Sequence, residues 1–468
     1  MMRIRTIAAW TAAGLALGVV QQAYASGFAI RENSAEALGT AFAGNASSAD
    51  FLSTIFNNPA GMTQFSGMRS QVDASFIIPH AQFTGSVTES GCVHCFGLAF
   101  PVSGSSTFDS GSAALVPATY ALYSISPDLK AGLAITSPFG LTTEYANDWV
   151  GRYFGITSKI QTIDINPNLA YRVNDWLSIG GGFSAQRLGA VLTNAIDQNS
   201  ILGFPQGSLQ TLPGPVCSNA NCDAFLRLDG SDWGFGFNGG ILLQPTPQTN
   251  VGLTYRSRVH HTVGGTASFS DVSPAVTGAS PLLAAALSSS TFSTGVVLPD
   301  SVDLSVTQKI TDRFHVAADL QWTDWSVFNS LAIMRTSGPL AGTNLQVTPE
   351  NFHNTVFVAV GGTYNYDDNW TFRAGFAFDE TPVRASNITV RLPDGNRYWL
   401  ATGFGYKFAE GVSVDFGYAH IFVSSSNLNS SVNSVVPGAI AGVSGTDTIT
   451  GGFTSSVDLV SLQARYKF

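Results

Sequence analysis

The last nine residues of the chain alternate strictly between apolar and polar side chains. The apolar set is Val460, Leu462, Ala464, Tyr466 and Phe468, and the polar set is Ser461, Gln463, Arg465 and Lys467. Because successive side chains of a β-strand point to opposite faces, one face of this strand suits lipid and the other suits an aqueous lumen. A strand that closes the chain on an aromatic residue resembles the signal read by the outer-membrane barrel assembly machinery, which we expect as a partner in biogenesis. A soluble β-sandwich has no need of that ending.

The same period of two recurs within residues 163–171, 302–309, 370–379 and 412–418. In each segment bulky apolar side chains alternate with small, polar or charged ones. This pattern is typical of a barrel wall that meets lipid outside and water inside. The connections are of two kinds, tight turns and long Ser/Gly-rich loops, which fits short periplasmic turns and long outer loops.

The pattern and the turns together predict fourteen strands, an even number. We predict that they start near Ser70, Ala114, Leu129, Ser158, Trp176, Arg227, Thr249, Leu298, Arg313, His353, Asn369, Arg397, Val412 and Thr454. The predicted fold is therefore all-β, a 14-stranded antiparallel transmembrane β-barrel.

The N-terminal sequence predicts a secretory signal peptide over residues 1–25. Arg3 and Arg5 precede an apolar run, and Ala23-Tyr24-Ala25 ends it with a small-x-small cleavage site, so we predict cleavage before Ser26. A single membrane anchor is the alternative, but the run is short and no basic cluster follows it. Beyond Ser26 we find no apolar stretch long enough to cross a bilayer as a helix, although mean hydropathy is +0.17.

Residues 26–68 do not fit the barrel pattern, since they are rich in Ala, Ser, Asn and Gly without sustained alternation. A disordered periplasmic tail is one interpretation. The segment nevertheless carries more apolar residues than a solvated linker needs, namely Phe28, Ile30, Leu38, Phe42, Phe51, Leu52, Ile55 and Phe56. We therefore predict an N-terminal plug, or hatch, folded inside a barrel formed by residues 69–468.

Charge and cysteine content exclude some partners and ligands. Without Arg3 and Arg5, 22 − 2 = 20 basic residues face 31 acidic ones, and a net charge of 20 − 31 = −11 argues against nucleic acid. The cysteines form two close pairs, Cys92 with Cys95 and Cys217 with Cys222, and in an exported chain we predict two local disulfides. The first pair could hold a metal, but no second pair has zinc spacing, so we predict no metal and no cofactor.

Several stretches, in order along the chain, resemble the FadL family of outer-membrane transporters for long-chain fatty acids and other hydrophobic compounds. They are Ser26-Gly27-Phe28, Asn58-Pro59-Ala60, Trp149 to Tyr153, Trp233 to Asn238, Tyr366 to Asp379, Thr381-Pro382, Pro393-Asp394, Arg397 and Trp399-Leu400. The resemblance implies a fourteen-stranded barrel with an N-terminal hatch in the outer membrane of a Gram-negative cell. It also implies transport without energy coupling, with fatty acids or hydrocarbons and the outer-membrane lipids as partners. A barrel that carries its own plug can function as a monomer, which we expect here.

In that family a hydrophobic ligand is captured among the outer loops, passes to a pocket at the mature N-terminus and leaves sideways through the wall. The resemblance and the apolar loop residues predict capture sites at Ile201, Leu202, Phe204, Leu282, Leu283 and Leu287. Both loops have the spacing of short amphipathic helices. An alternative is that they pack on each other only to cap the barrel.

The resemblance also implies a gate and an exit. Phe28 and Ile30 lie where the mature N-terminus closes the family's pocket, and Asn58, Pro59 and Ala60 belong to the same plug. We expect the exit at Ser137, Pro138, Phe139 and Gly140, since proline cannot donate to a strand ladder and glycine permits a bend. A strand that simply stops there is the competing interpretation.

The sequence departs from the family where the ligand's head group would bind. Family members that carry fatty acids have basic residues at positions that align near Asn194 and Ala332. Arg187 and Arg335 are the nearest candidates for a head-group contact. Neutral aromatic or aliphatic hydrocarbons therefore stay open as substrates. We do not expect an enzyme, because the seven histidines show no triad spacing with Ser and Asp, and a structural or adhesive barrel is the remaining rival.

Overall fold

A computed structural model of the protein describes residues 27–48, 50–206, 208–211, 217, 219, 221–433 and 445–468. The predicted signal peptide, residues 1–25, and the predicted first mature residue, Ser26, lie outside this part of the chain. Within it, no helix is both long and apolar enough to cross a membrane.

The described residues form one sheet of twenty-one antiparallel strands. The strands are β1 (Met68–Ser90), β2 (Phe100–Pro101), β3 (Thr107–Asp109), β4 (Ala114–Ser124), β5 (Leu129–Thr136), β6 (Gly140–Glu144), β7 (Thr157–Asn174), β8 (Leu177–Asp197), β9 (Asp223–Thr246), β10 (Thr249–Arg256), β11 (Val259–Ser270), β12 (Ser290–Leu298), β13 (Ser301–Lys309), β14 (Phe314–Thr323), β15 (Ser330–Arg335), β16 (Asn344–Pro349), β17 (Thr355–Asn365), β18 (Trp370–Asp379), β19 (Arg397–Ala409), β20 (Val412–Asn433) and β21 (Thr446–Lys467).

The sheet closes into a barrel because β21 pairs with β1 along its whole length, from Arg69 opposite Lys467 to Ser90 opposite Thr446. Closure leaves neither the first nor the last wall strand as an exposed edge. Several of the strands are successive parts of one wall strand: β2 to β4, β5 with β6, β10 with β11, β12 with β13, β14 with β15, and β16 with β17. Counted this way the wall has fourteen strands, which confirms the predicted barrel.

The predicted alternation is confirmed in the closing strand. Leu462 and Tyr466 are 48% and 45% exposed on the outer face, whereas Ser461 and Gln463 are buried inside. At the end of the barrel that carries the tight turns, the inner face is polar. Toward the end with the long loops the inner face becomes apolar, as Ile449, Phe453 and Val457 of the same strand illustrate.

Residues 27–67, here called the inner segment, contain two short helices, Ala35–Leu38 and Thr54–Asn57, and a 3-10 helix, Pro59–Gln64. The segment contacts strands on different sides of the barrel, so it lies in the lumen. Gly375 of β18 and Gly252 of β10 allow its backbone to approach, because a Cβ at either position would collide with the carbonyl of Thr40 or Ala46.

Buried ion pairs fix the inner segment to the wall. Glu36 contacts Arg373 of β18 at 2.6 Å and Arg465 of β21 at 2.8 Å, and Arg373 also contacts Asp415 of β20 at 3.0 Å. Since breaking a buried ion pair leaves an uncompensated charge, these contacts strongly favour one position of the inner segment in the barrel. The turn-side end of the lumen is therefore lined by charged and hydrogen-bonded groups, and a cavity of about 860 Å³ lies among them.

Candidate functional site

The start of the inner segment pairs with the third wall strand where that strand is interrupted. The amide of Ile30 donates to the carbonyl of Pro138 at 2.8 Å, and the amide of Gly140 donates to the carbonyl of Phe28 at 2.8 Å. Between these two bonds Ala29 and Phe139 form an antiparallel bridge. The residues predicted as a gate and those predicted as an exit are thus brought together.

The same interruption opens a window between the second and third wall strands. Thr119 of β4 lies opposite Ile135 of β5, and further out Gly111 lies opposite Thr143 of β6. Between those pairs the described residues 112–118 and 136–142 make no pairing with each other. The third strand stays paired with β7 on its other side, so its pairing is lost only toward the second strand.

A proline lies on each rim of this window. Pro138 has no amide hydrogen to donate across it, and the opposite rim carries Pro117, which the sequence analysis did not single out. Proline within sheets is confined to edges and irregular positions, so a proline inside an otherwise central strand was the available signal. The third strand resumes at Gly140 and does not end at Ser137.

The side chain of Phe28 fills an aromatic pocket beside the window. It is 2% exposed, and its ring centroid lies 4.8 Å from that of Trp325, 5.4 Å from Phe328 and 6.1 Å from Phe139. Phe352 packs against Trp325 and Phe328 in turn. Trp325, Phe328 and Phe352 come from breaks within the ninth and tenth wall strands, where the chain turns inward. Sequence reasoning missed Phe328 and Phe352, because no alternation marks these breaks.

A larger apolar cluster surrounds the pocket. Its buried members come from the inner faces of several wall strands and from residues 380–396: Leu141, Leu188, Leu226, Leu228, Val259, Val263, Phe292, Val296, Leu298, Ile333, Leu345, Val383 and Leu392. A cavity of about 700 Å³ adjoins it on the loop side and is lined in part by Asn194, Ile196, Leu226, Phe269 and Leu345. Leu226 and Leu345 belong to both the cluster and the cavity lining, so apolar side chains extend from the cavity toward Phe28.

Asn58, Pro59 and Ala60 lie away from this pocket. The side-chain amide of Asn58 donates to the carbonyls of Ala46 and Ile241 at 2.7 and 3.0 Å, and its oxygen accepts from the amide of Ala60 at 3.1 Å. Pro59 begins the 3-10 helix, where its missing amide hydrogen costs nothing. These residues brace the inner segment against β9 and do not join the gate.

The predicted loop residues separate into two places. Ile201, Leu283 and Leu287 are buried in one cluster with Val276 and Ala286, contributed by the helices Gln198–Ile201, Pro274–Ala279 and Pro281–Ala286. Leu202 packs at the edge of this cluster and Leu282 is partly exposed. Phe204 instead stacks on His94 at 4.5 Å, beside the bonded pair Cys92 and Cys95. Cys217 is bonded to Cys222.

Comparison with known proteins decides the family. Residues 16–468 match the family of outer membrane protein transport proteins (OMPP1/FadL/TodX). The chain belongs to this family. It is 31% identical over 443 residues to the long-chain fatty acid transport protein of Shigella flexneri, covering 92% of this chain and 95% of that protein. It is 29% identical to outer membrane protein P1 of Haemophilus influenzae, over 85% of this chain and 86% of that protein.

Solved structures share the fold. A FadL homologue from Pseudomonas aeruginosa superimposes with a TM-score of 0.81 at 24% identity, over 94% of this chain and 100% of that one. The toluene transporter TodX of Pseudomonas putida gives a TM-score of 0.65 at 15% identity, over 95% and 100%. As a FadL/TodX-family barrel, the protein is a transport protein of the Gram-negative outer membrane.

The two arginines proposed for the head group of a FadL-type ligand do not reach the pocket. Arg187 is exposed on the outer face of β8, next to Trp233 of β9, because it falls on the outward phase of the strand. Arg335 is buried, but its guanidinium donates to the carbonyls of Ala286 and Ser288 at the end of a loop helix. Arg187 points outward because of its position in the strand alternation, and the donors of Arg335 are used by carbonyls at the end of the loop helix.

The histidines described for this FadL-family barrel give no catalytic triad. The ring nitrogens of His80 and His420 contact Asp109 and Asp458 at 3.1 and 2.8 Å, and His261 contacts Gln186 at 3.2 Å. Among the residues that the structure describes, no serine hydroxyl bonds to a histidine ring.

Proposed function

We propose that the protein takes up hydrophobic molecules passively, most of all long-chain fatty acids, through a gated lateral route. The observation that carries this is the pairing of Phe28 and Ile30 with Pro138 and Gly140 at the window in the wall. In this proposal residues 26–68 are a hatch and residues 69–468 a barrel. Displacement of Phe28 opens the aromatic pocket to the window.

The physical chemistry of the lumen favours a sideways exit. Transfer of an alkyl chain from an apolar site to water costs roughly 0.8 kcal/mol per methylene, so a ligand gains by staying on apolar surface. The path toward the turns is closed by the hatch and its ion pairs, including Glu36 with Arg373. The window lies beside the pocket and faces the bilayer.

Capture belongs to the outer loops. The cluster of Ile201, Leu283 and Leu287 lies close to the cavity of about 700 Å³, since Ile196 and Phe269 take part in both. Apolar loop surfaces in exported proteins tend to be binding surfaces, and loops that cap a barrel by mutual packing can also admit a ligand between them. We propose both roles for these loops, and we propose a monomeric, non-enzymatic protein.

The experiment is a deletion of Ser26 to Ala35, expressed in cells that lack their own FadL-type transporter. The gated route predicts impaired uptake of a labelled long-chain fatty acid, with unchanged heat-modifiable migration, because the barrel strands begin at Met68. Normal uptake by the deletion variant would contradict the gate. Mass spectrometry of ligands extracted in mild detergent tests substrate class: hydrocarbons without fatty acids would select the alternative substrate, and no ligand with no uptake would favour a structural barrel.

A further inference from the structure

One part-buried arginine, Arg391, lies between residues that line the outer cavity and residues of the inner apolar cluster. Arg391 belongs to residues 380–396, which fold inward between β18 and β19. The next residue, Leu392, packs in the apolar cluster that contains Phe28, and the nearby Thr389 lines the cavity. The arginine side chain reaches the same inner wall as Asn194 of β8, at 3.4 Å from its side-chain oxygen.

All the hydrogen-bond acceptors of this guanidinium are neutral. It donates to the carbonyls of Thr157 and Thr193 at 3.1 and 3.2 Å, and to the hydroxyl of Ser158 at 3.0 Å. Its Nε is buried without a hydrogen-bond partner. In the described part of the chain no carboxylate lies within 4.0 Å of it.

Other buried arginines of the lumen differ in this respect. Arg152 contacts Asp223 at 2.6 Å, Arg373 contacts Glu36 at 2.6 Å, and Arg397 contacts Asp394. Arg335 has no carboxylate either, but it donates to carbonyls at a helix C-terminus, where partial negative charge compensates the cation. Taking a cation partly out of water without either kind of compensation is costly, and this favours the binding of an external anion.

One neighbouring acid, Glu350, supplies only partial compensation. Glu350 lies near enough to affect Arg391 electrostatically but forms no ion pair with it, and burial raises the pKa of Glu350 to about 8. Burial thus disfavours the charged form of this carboxyl group. Burial lowers the pKa of Arg391 to about 10, so the guanidinium keeps its charge.

We propose that Arg391 binds the carboxylate of an amphiphilic ligand whose alkyl chain lies along the apolar cluster. This rests on the proposed function and names the head-group partner within it. A guanidinium presents paired donors that match a carboxylate in a bidentate contact, and the partnerless Nε is one such donor. The cation thus comes from a loop that folds into the barrel, and it lies beside Asn194, where the basic side chain was expected.

The test compares two ligands of equal chain length, hexadecanoate and hexadecanol, binding to the purified full-length protein in mild detergent. The variant Arg391→Met should weaken hexadecanoate binding by on the order of tenfold to a hundredfold, the worth of a charged hydrogen bond, and leave hexadecanol binding unchanged. Arg391→Lys keeps the charge but lacks the paired planar donors of a guanidinium. It should weaken hexadecanoate binding by an intermediate factor and leave hexadecanol binding unchanged. Arg187→Met, on the outer face, is the control and should change neither ligand.

Each other outcome has a defined meaning. Equal weakening of both ligands by Arg391→Met would show that the arginine only supports the pocket, and unchanged hexadecanoate binding would remove it from the site; either overturns the proposal. If Arg391→Met fails to migrate as a folded barrel, the Arg391→Lys comparison decides by the same criterion. Failure of the wild-type protein to bind either ligand would instead contradict the proposed function.

Discussion

At the scale of single residues, a substitution of Phe28 can distinguish an effect on ligand exchange from an effect on folding. Its ring packs against the aromatic residues of the pocket, Trp325, Phe328 and Phe139, at the edge of the window. Removing it by Phe28→Ala leaves a cavity where the ligand is proposed to bind. We expect at least a severalfold change in the affinity or release rate of hexadecanoate, measured by titration and by competition, with the barrel still heat-modifiable.

Phe42 gives a matched control in the same segment. It is buried like Phe28, but its ring packs against Trp399 of β19 and belongs to a different apolar cluster from that of Phe28. Phe42→Ala should lower stability by about 3 kcal/mol, as is usual for a buried Phe→Ala change, without altering ligand binding. If the two substitutions changed ligand affinity equally, the inner segment would affect binding only through its overall position in the barrel, and Phe28 would have no specific role.

The sequence carries a signal for single residues where the property is local to the backbone, and none where it depends on which neighbours the fold supplies. Pro138 and Gly140 indicate an irregular strand by themselves, because proline has no amide hydrogen to donate and glycine permits unusual backbone angles. Arg391 gives no such signal, because the segment around it carries no alternation, and its role depends on which neighbours the fold supplies. The strand phase of Arg187 could have been read from Phe183 and Phe235, which face outward beside it.

At the scale of elements, the sequence predicted the parts of strands that meet lipid. The predicted starts near Leu298 and His353 miss β12 and β16, which extend the eighth and tenth wall strands toward the loops. In that region the inner face is apolar too, as Val296 and Leu298 show, so the contrast between faces that defines the pattern is lost. The last strand likewise begins at Thr446, before the predicted Thr454.

The loop helices give a test at this scale. Leu283 and Leu287 are buried with Ile201 in the loop cluster, whereas Leu282 is partly exposed. The double substitution Leu283→Ser and Leu287→Ser should loosen this cluster and lower uptake of a labelled fatty acid severalfold, because each buried leucine contributes about 2 kcal/mol or more. Heat-modifiable migration should stay as in the wild type, since the wall strands close without the loops.

Leu282→Ser is the control for that pair and should have a small effect. Unchanged uptake by the double variant would show that the loops only cap the barrel. A comparable loss from Leu282→Ser alone would place the capture surface on the exposed side of the helix Pro281–Ala286 and not between the loops.

At the scale of the whole molecule, the barrel is divided into a polar end, closed by the inner segment, and an apolar end open to the loops. At the window beside Phe139 the pairing between the second and third wall strands is interrupted, and the inner segment pairs with the third strand instead. Transport through it requires the bridge between Ala29 and Phe139 to separate. A porin-like route through the lumen would not depend on that bridge.

The most direct measurement is uptake by a barrel in which this bridge is locked. Ala29 and Phe139 form a pair flanked by the two backbone bonds, a geometry in which Cα atoms lie about 4.5 Å apart and a disulfide can form. The double variant Ala29→Cys and Phe139→Cys, with each single variant and the reductant-treated wild type as controls, should transport labelled fatty acid when reduced and lose nearly all transport when oxidised. Equal transport in the oxidised and reduced states would contradict the gated lateral route.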